Sequence, residues 1–565
     1  MTGFSFLTTH RKSALRHGLV AGIGFGLTAA TTAWAADDAQ VQKLEAAIER
    51  LEKQHHLEMQ QLQDQISQLR AQTSAPSGQQ SPAPSAQAAT QAPQPVAPSE
   101  TEGIPTPKLV ESPGHQFGMQ SADGQNSIAI LARLHFDAAD YFKTTPDGGA
   151  NGYGPGGKGG PLQSGANARR ARLGIGGTFL GDWAYRLIYD FGNSSDSIAP
   201  GVAGATASGV ENAYITYRGF KTHDYLIPAS IDIGYLDVPW TMDEATSSND
   251  TMFMERATSQ VIATAFGGGD FRSGIGARVN NNRGWAALYL TGPQSGTPHT
   301  GANIGNNAIL ARASYQLRDR DDESIHVGVN AGHLIKSRVN STTTTANGIT
   351  TTDSYSALAL YDRPELRVDP TTILNTGNIP ANSGTVAGLE GAVGWGQFFT
   401  QAEYYHYWVP ERAGGINPTD GTANLAAPTL NFDGGYIEAS YSLGGRRHYL
   451  PETGAYSGVI PNAPFSLSGW GWGALEIAMR YSAISLNDRV TPGQAPHLTG
   501  GVNGGEQQGI DVGFNWYPNR NMRFMLNYVH TDVSKLYKPT TDGTAPSSLA
   551  GATIDALALR SQFLF

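Results

Sequence analysis

One pattern constrains this chain more than any other. From about Ser127 to the C-terminus, apolar and polar residues alternate over short segments divided by Gly, Asn, Asp and Pro clusters. Ile128, Ile130, Leu134 and Phe136 alternate with Leu131, Arg133, His135 and Asp137. Leu475, Ile477, Met479 and Tyr481 alternate with Glu476, Ala478 and Arg480, and Ile510, Val512, Phe514 and Trp516 with Asp511, Gly513 and Asn515. A period of two with one greasy face marks a half-buried strand. A soluble sandwich satisfies that pattern as well as a membrane barrel does.

Connection length separates the two. The connections at 181–182, 219–224, 280–283, 318–323, 394–396 and 517–520 are short. Those at 143–167, 193–209, 238–270, 293–306, 336–384, 409–431, 485–505 and 532–553 are long. Tight turns alternating with long loops are what a transmembrane barrel requires. A further strand near 352–368 would make seventeen and would have long loops on both flanks, so parity places it inside the fifth loop. The expected fold class is therefore all-β: a sixteen-stranded antiparallel transmembrane β-barrel with eight long loops. The connection 444–471 is long where the scheme wants a short turn.

Composition agrees. Mean hydropathy is −0.30 and no apolar run reaches a membrane-spanning helix. With 69 glycines in 565 residues and only 15% charged, the chain is richer in glycine and poorer in charge than an ordinary soluble enzyme. No cysteine is present, which excludes disulfides, thiolate metal sites and a cysteine nucleophile. The last strand places Leu557, Leu559, Phe563 and Phe565 on one face and Ala558, Arg560 and Gln562 on the other. A chain ending so abruptly on an aromatic strand residue, Phe565, carries the expected signal for barrel assembly machinery in outer-membrane lipid.

The first 114 residues are of another kind. Residues 1–35 are expected to be a secretory signal peptide: His10, Arg11, Lys12 and Arg16 precede an apolar stretch, and Ala33-Trp34-Ala35 is a cleavage site. In 36–71 the apolar residues Val41, Leu44, Ile48, Leu51, Met59, Leu62, Ile66 and Leu69 form a heptad seam with one stutter. That seam is expected to be the core of a periplasmic coiled-coil oligomerisation helix; the alternative is an amphipathic helix lying on the barrel or membrane. Residues 72–114 are a Pro/Ala/Gln/Ser-rich linker unable to bury a core, and 115–565 are expected to form the outer-membrane barrel.

Sixteen strands leave a lumen wide enough for water unless a loop narrows it. Parity makes 238–270 the third loop, carrying Asp243, Glu244, Asp250, Glu255 and Arg256, with Asp237 leading into it. These residues are expected at the constriction. The face opposite the greasy one carries Arg133, Arg170, Arg172, Arg186, Arg480, Arg523 and Arg560. It also carries the acids Asp137, Asp190, Asp232, Glu403, Glu438, Glu476 and Asp511. Two arrangements fit: a basic wall facing an acidic loop, giving a transverse field for anions, or arginines and carboxylates paired across neighbouring strands. The net charge of −10 does not decide between them.

Several motifs point to a family. Arg169-Arg170-Ala171-Arg172-Leu173-Gly174, then Gly181-Asp182-Trp183 through Phe191, resembles the phosphate-selective porin O and P family. So do Asn212-Ala213-Tyr214, Thr246 through Asp250 with Phe253 through Ala257, and Gly513 through Asn519 with Met525 through His530. The resemblance implies a homotrimeric outer-membrane channel in which a ladder of arginines passes phosphate or polyphosphate. By position, Arg133, Arg169, Arg170 and Arg172 look like members of that ladder. Asp237 stands where the resemblance implies a lysine, and an acid there would repel anions.

The expected function is passive diffusion of small solutes and inorganic anions, with a non-phosphate porin or a coiled-coil tether to a periplasmic layer as alternatives. An enzyme on the same barrel is not expected: His135, His406 and His530 lack a recognisable Ser/His/Asp spacing. No cofactor, metal site or nucleic-acid partner is expected.

Overall fold

A computed structural model describes residues 107–111, 117–146, 162–192, 209–221, 228–294, 306–320, 322–346, 349–469, 471–491, 494–535 and 551–565. The signal peptide, the heptad seam from Val41 to Leu69 and nearly all of the linker lie outside the described residues.

Sixteen antiparallel strands close on themselves. In chain order they are β1 (Ser127–Pro146), β2 (Gly165–Phe179), β3 (Trp183–Asp190), β4 (Gly209–Tyr217), β5 (Ala229–Val238), β6 (Gly269–Asn280), β7 (Gly284–Gln294) and β8 (Asn307–Arg320). There follow β9 (Glu323–Lys336), β10 (Gly384–Trp395), β11 (Phe398–Pro410), β12 (Thr429–Leu443), β13 (Ala474–Asp488), β14 (Val502–Asn519), β15 (Met522–Ser534) and β16 (Ala552–Leu564). Each pairs with its neighbour in sequence, and β16 returns to β1 with Arg560 opposite Asp137. Closure removes every unpaired edge, which is the condition for crossing lipid with strands. A small hairpin, Lys108–Glu111 on Phe117–Gln120, prolongs the sheet beside the start of β1. The strand Lys108–Glu111 thus falls within the segment read as linker, where Leu109-Val110 interrupts the polar run.

The period of two sorts the side chains as expected. Leu389, Ile477 and Leu559 point outward and are 55–61% exposed. Glu390, Glu476 and Arg560 point inward and are buried. Fifth-loop residues Arg338–Ala346 and Ile349–Ala357 form their own two-stranded hairpin outside the barrel order, so the seventeenth strand belongs to a loop.

The lumen is not a simple aqueous tube. The third loop folds inward through two short helices, α1 (Met242–Ala245) and α2 (Thr258–Thr264). Trp240, Ile262 and Phe266 pack there against Tyr405, Tyr407 and Phe432 of the wall, forming an apolar core inside the barrel. The long connection between β12 and β13 also enters the lumen, from the opposite end. Its hairpin pairs Tyr449-Leu450 with Ala455-Tyr456. Tyr456 joins Met242, Met252 and Phe253 in one buried cluster. The scheme of turns and loops cannot anticipate such a segment, because it is neither a strand nor an outer loop.

Candidate functional site: the lumen and its constriction

The third loop is held almost entirely by side chains of the barrel wall. Buried backbone that makes no ladder must find other partners. Here every carbonyl from Asp250 to Glu255 is taken. Arg447 donates to Asp250 O, Arg523 to Thr251 O, Asn515 to Met252 O, the Thr251 hydroxyl to Phe253 O, Arg560 to Met254 O and Arg480 to Glu255 O. At the start of the loop the Glu403 carboxylate accepts the Met242 and Asp243 N–H groups at 2.9 and 3.0 Å, while Thr241 Oγ1 caps Glu244 N–H. Glu403 thereby anchors the first turn of α1 to β11.

Glu255 is the electrostatic centre. Arg169 Nε lies 2.7 Å from it, Arg560 Nη2 2.8 Å and Arg367 of the fifth loop 3.8 Å. Burial opposes its ionisation, but Arg169, Arg560 and Arg170 outweigh burial and hold the carboxyl well below the ordinary range. Asp243 and Glu244 turn the other way and face the loop's own Arg256, at 3.4 and 3.5 Å. Burial pushes the Asp243 carboxyl up, against the pull of Arg256. Asp250 is half-buried and gives its backbone oxygen to Arg447. Asp237 falls at the register shift between Leu236 and Val238, both of which are buried inside.

The expected arginines are all on the inner face, but they do different things. Arg560 grips Asp137 through two 2.7 Å bonds, and Arg172 pairs with Asp190 at 2.9 Å and with Glu211. Arg480 bonds Asp511 and Glu365 and lies 4.6 Å from the Phe253 ring. Arg523 reaches Thr251 O and Gln562, and its guanidinium meets no carboxylate among the described residues. These residues clamp the loop, so Arg480, Arg523 and Arg560 do not line open water as an arginine ladder would. Pairing, together with loop-holding, is what most of the basic wall provides. Alternation tells which face a residue is on and nothing about what will fold against that face.

Arg133 is half-buried and donates to Ser248 and Ser247 of the third loop. Arg170 and Arg186 are the exceptions. Arg170 lies 3.4 Å from His135 Nδ1, and His135 Nε2 is 3.0 Å from Asn249 Oδ1. Because an arginine can only donate, Nδ1 accepts and Nε2 carries the ring proton. Arg170 forms no ion pair among the described residues. Arg186 is exposed on the same face of β3 as buried Asp190, opposite Gly176 and Tyr214, and makes no ion pair or hydrogen bond among the described residues.

Sequence reasoning missed a second set of residues. Arg447 grips Glu476 at 2.8 and 3.0 Å, Arg312 grips Glu390 and takes Thr453 O and Gly454 O, and Trp285 Nε1 donates to Glu452 O. Together they fix the β12–β13 connection inside the lumen. Gly454 sits at its tip with φ +61°, where a Cβ would come within 2.9 Å of Trp285. Glu365 of the fifth loop holds a left-handed φ of 53° while its carboxylate joins Ser482, Arg480 and the Thr258 N–H. The signals available in the sequence were the odd length of 444–471 and the charges of the fifth loop.

These filled regions lie against β8–β16, whose inward residues are nearly all buried. The wall from β2 to β6 keeps accessible inward groups, with Arg186 exposed and Tyr214 and Arg278 half-buried. Three of its carboxylates, Asp190, Glu211 and Asp232, are buried and bonded to Arg172, Arg278, Thr216 or Tyr289.

A closed sixteen-strand barrel with an apolar outside, a charged lumen and an infolded third loop is an outer-membrane porin, a channel for passive diffusion. The chain belongs to the phosphate-selective porin O and P family, whose family model matches residues 151–565. It is 27% identical over 489 residues to an uncharacterized protein of Caulobacter vibrioides, covering 83% of this chain and 81% of that one. It is 25% identical over 390 residues to Porin O of Pseudomonas aeruginosa, covering 67% of this chain and 79% of the relative. Among solved structures it is similar to OmpT of Vibrio cholerae, with a TM-score of 0.42 and 10% identity over 78% of this chain and 99% of that one.

Proposed function

We propose that the channel favours small inorganic anions, phosphate among them, and that they move along the wall from β2 to β6. One observation carries this reading: Arg186 is exposed on that wall, whereas Asp190, Glu211 and Asp232 of the same wall are buried and neutralised by partners. A water-filled path whose uncompensated charge is a guanidinium attracts anions and can replace part of their hydration with fork-shaped donors. Arg170, buried and without an ion pair among the described residues, adds a second basic group toward the constriction. The test is the reversal potential of the purified protein in planar bilayers under a salt gradient. Anion preference that falls in Arg186→Glu supports the reading; cation preference in the native protein overturns it.

A second reading, a porin without a phosphate site, is favoured by Arg480, Arg523 and Arg560, whose donors go to the third loop. Phosphate block of the chloride current separates the two. The heptad seam from Val41 to Leu69 supports a homotrimer with the coiled coil in the periplasm. Deleting 36–114 abolishes SDS-resistant trimers if the seam assembles the protein, and leaves them intact if the segment is a tether.

A further inference from the structure

The connection between β12 and β13 has two halves. The inner half, around Arg447 and Tyr456, supports the third loop from below. The outer half, from Asn462 to Gly473, contains no charged side chain. Leu467 is 91% exposed and Trp472 70% exposed, which is unfavourable in water for side chains of this size.

The position of this tip gives it a partner. Phe465 N–H donates to Pro518 O, and Trp516 Nε1 donates to Trp472 O at 2.9 Å. Phe465 meets the Trp516 ring edge-on at 5.4 Å, and Trp516 stacks on Phe524 at 5.6 Å. Trp516 and Phe524 belong to the outward face of β14 and β15 that also carries Phe514 and Leu526. The tip therefore prolongs the lipid-facing band at the end of the barrel that bears the short turns, where transmembrane barrels carry an aromatic girdle. Cationic groups flank its root. Arg446 stands opposite Ile460 in the bridge at that root, and Arg520 stands in the β14–β15 turn two residues after Pro518, the acceptor of the Phe465 N–H.

We propose that Phe465, Leu467 and Trp472 form a lipid anchor that enters the inner leaflet at the boundary between acyl chains and headgroups, with Arg446 and Arg520 at the level of anionic phosphates. The occupant is an anionic glycerophospholipid. Tryptophan suits that boundary because its ring is apolar and its N–H polar. Since the other half of the connection braces the third loop, the anchor ties the constriction to the membrane.

The chain has no cysteine, so Leu467→Cys supplies a single thiol for a nitroxide label. The full chain is refolded into vesicles of phosphatidylethanolamine and phosphatidylglycerol, and heat-modifiable migration in SDS confirms the barrel. Leu559→Cys, on the lipid face, and Asp123→Cys, in the exposed turn before β1, calibrate the scale. The expected result is a ratio of oxygen to nickel-chelate collisions shifted from the Asp123→Cys value to the Leu559→Cys value. A ratio equal to that at Asp123→Cys overturns the anchor. Low access to both reagents with dipolar broadening also overturns it and assigns the tip to contact between copies.

Discussion

Glu255 of the third loop accepts from Arg169 of β2 at 2.7 Å and from Arg560 of β16 at 2.8 Å, so one carboxylate fastens the constriction across the seam where the barrel closes. Removing one partner from a buried ion pair typically costs about 3–5 kcal/mol, because the charge left behind is uncompensated. Arg560 keeps Asp137, which places Glu255→Gln near about 3 kcal/mol. The expected outcome is a lower midpoint of heat modification on SDS gels and a noisier, more anion-selective single-channel current. The pH dependence has a definite sign. A carboxyl held below its unfolded value of 4.5 contributes stability that is complete above that value and is lost as pH falls through the folded one. The native constriction therefore loosens in acid, and Glu255→Gln removes that part of the dependence.

Arg186 and Arg523 sit on the same inner face and should respond to substitution in opposite ways. Arg186 is exposed, so Arg186→Glu changes stability by no more than about 0.5 kcal/mol. It reverses the sign of charge in the open path, and reversal potentials should move toward cations. Arg523 is buried and holds Thr251 O. Arg523→Ala strands that carbonyl and costs about 1–3 kcal/mol or more. Its signature is a lowered unfolding midpoint and a disturbed conductance level. Equal selectivity shifts in the two variants would refute the division between path and clamp.

The barrel itself was readable in the sequence because period-two patterning and loop parity report the same fact independently. Parity even returned the segment near 352–368 to its loop, where its first residues, as part of Ile349–Ala357, pair with 338–346. All seven acids assigned inward are buried inside. The partners of the lumenal charges were not readable. Glu255 meets Arg560 across 305 residues, and no local pattern encodes that contact. The β12–β13 connection was visible only as an anomaly of length, because a segment packed irregularly inside a lumen has no period.

That connection makes its own prediction. Arg312, Trp285 and Arg278 hold the carbonyls of Glu452, Thr453 and Gly454, while Tyr456 fills space beside Met252 and Phe253. Replacing 448–459 by a short Gly-Ser turn empties that part of the lumen. Single-channel conductance should rise, and Arg447 and Arg312 should keep the barrel folded through Glu476 and Glu390. Unchanged conductance in a folded variant would mean that the connection does not narrow the path.

Glu411 connects the outer loops to pH near neutrality. It follows β11 and is buried, and its Oε2 accepts from Asn424 at 3.2 Å. Asn424 in turn accepts from Asn417, which also donates to Gly501 O at 2.9 Å, so the sixth loop is tied to the seventh. Burial pushes the Glu411 carboxyl up to about 7, with the Asn424 bond and Arg489 opposing and Asp488 assisting. The sign follows from linkage: a carboxyl with a raised folded value is bound more tightly to its proton in the folded state, so stability falls as pH rises between the unfolded value of 4.5 and about 7. The tie should be firmest in mild acid and weakest above neutrality. Hydrogen exchange of residues 494–501, corrected for intrinsic rates, should show protection that declines across this window. Glu411→Gln keeps an acceptor for Asn424 and cannot ionise, so its profile should be flat. Native protection that does not change across the window would refute the assignment to Glu411.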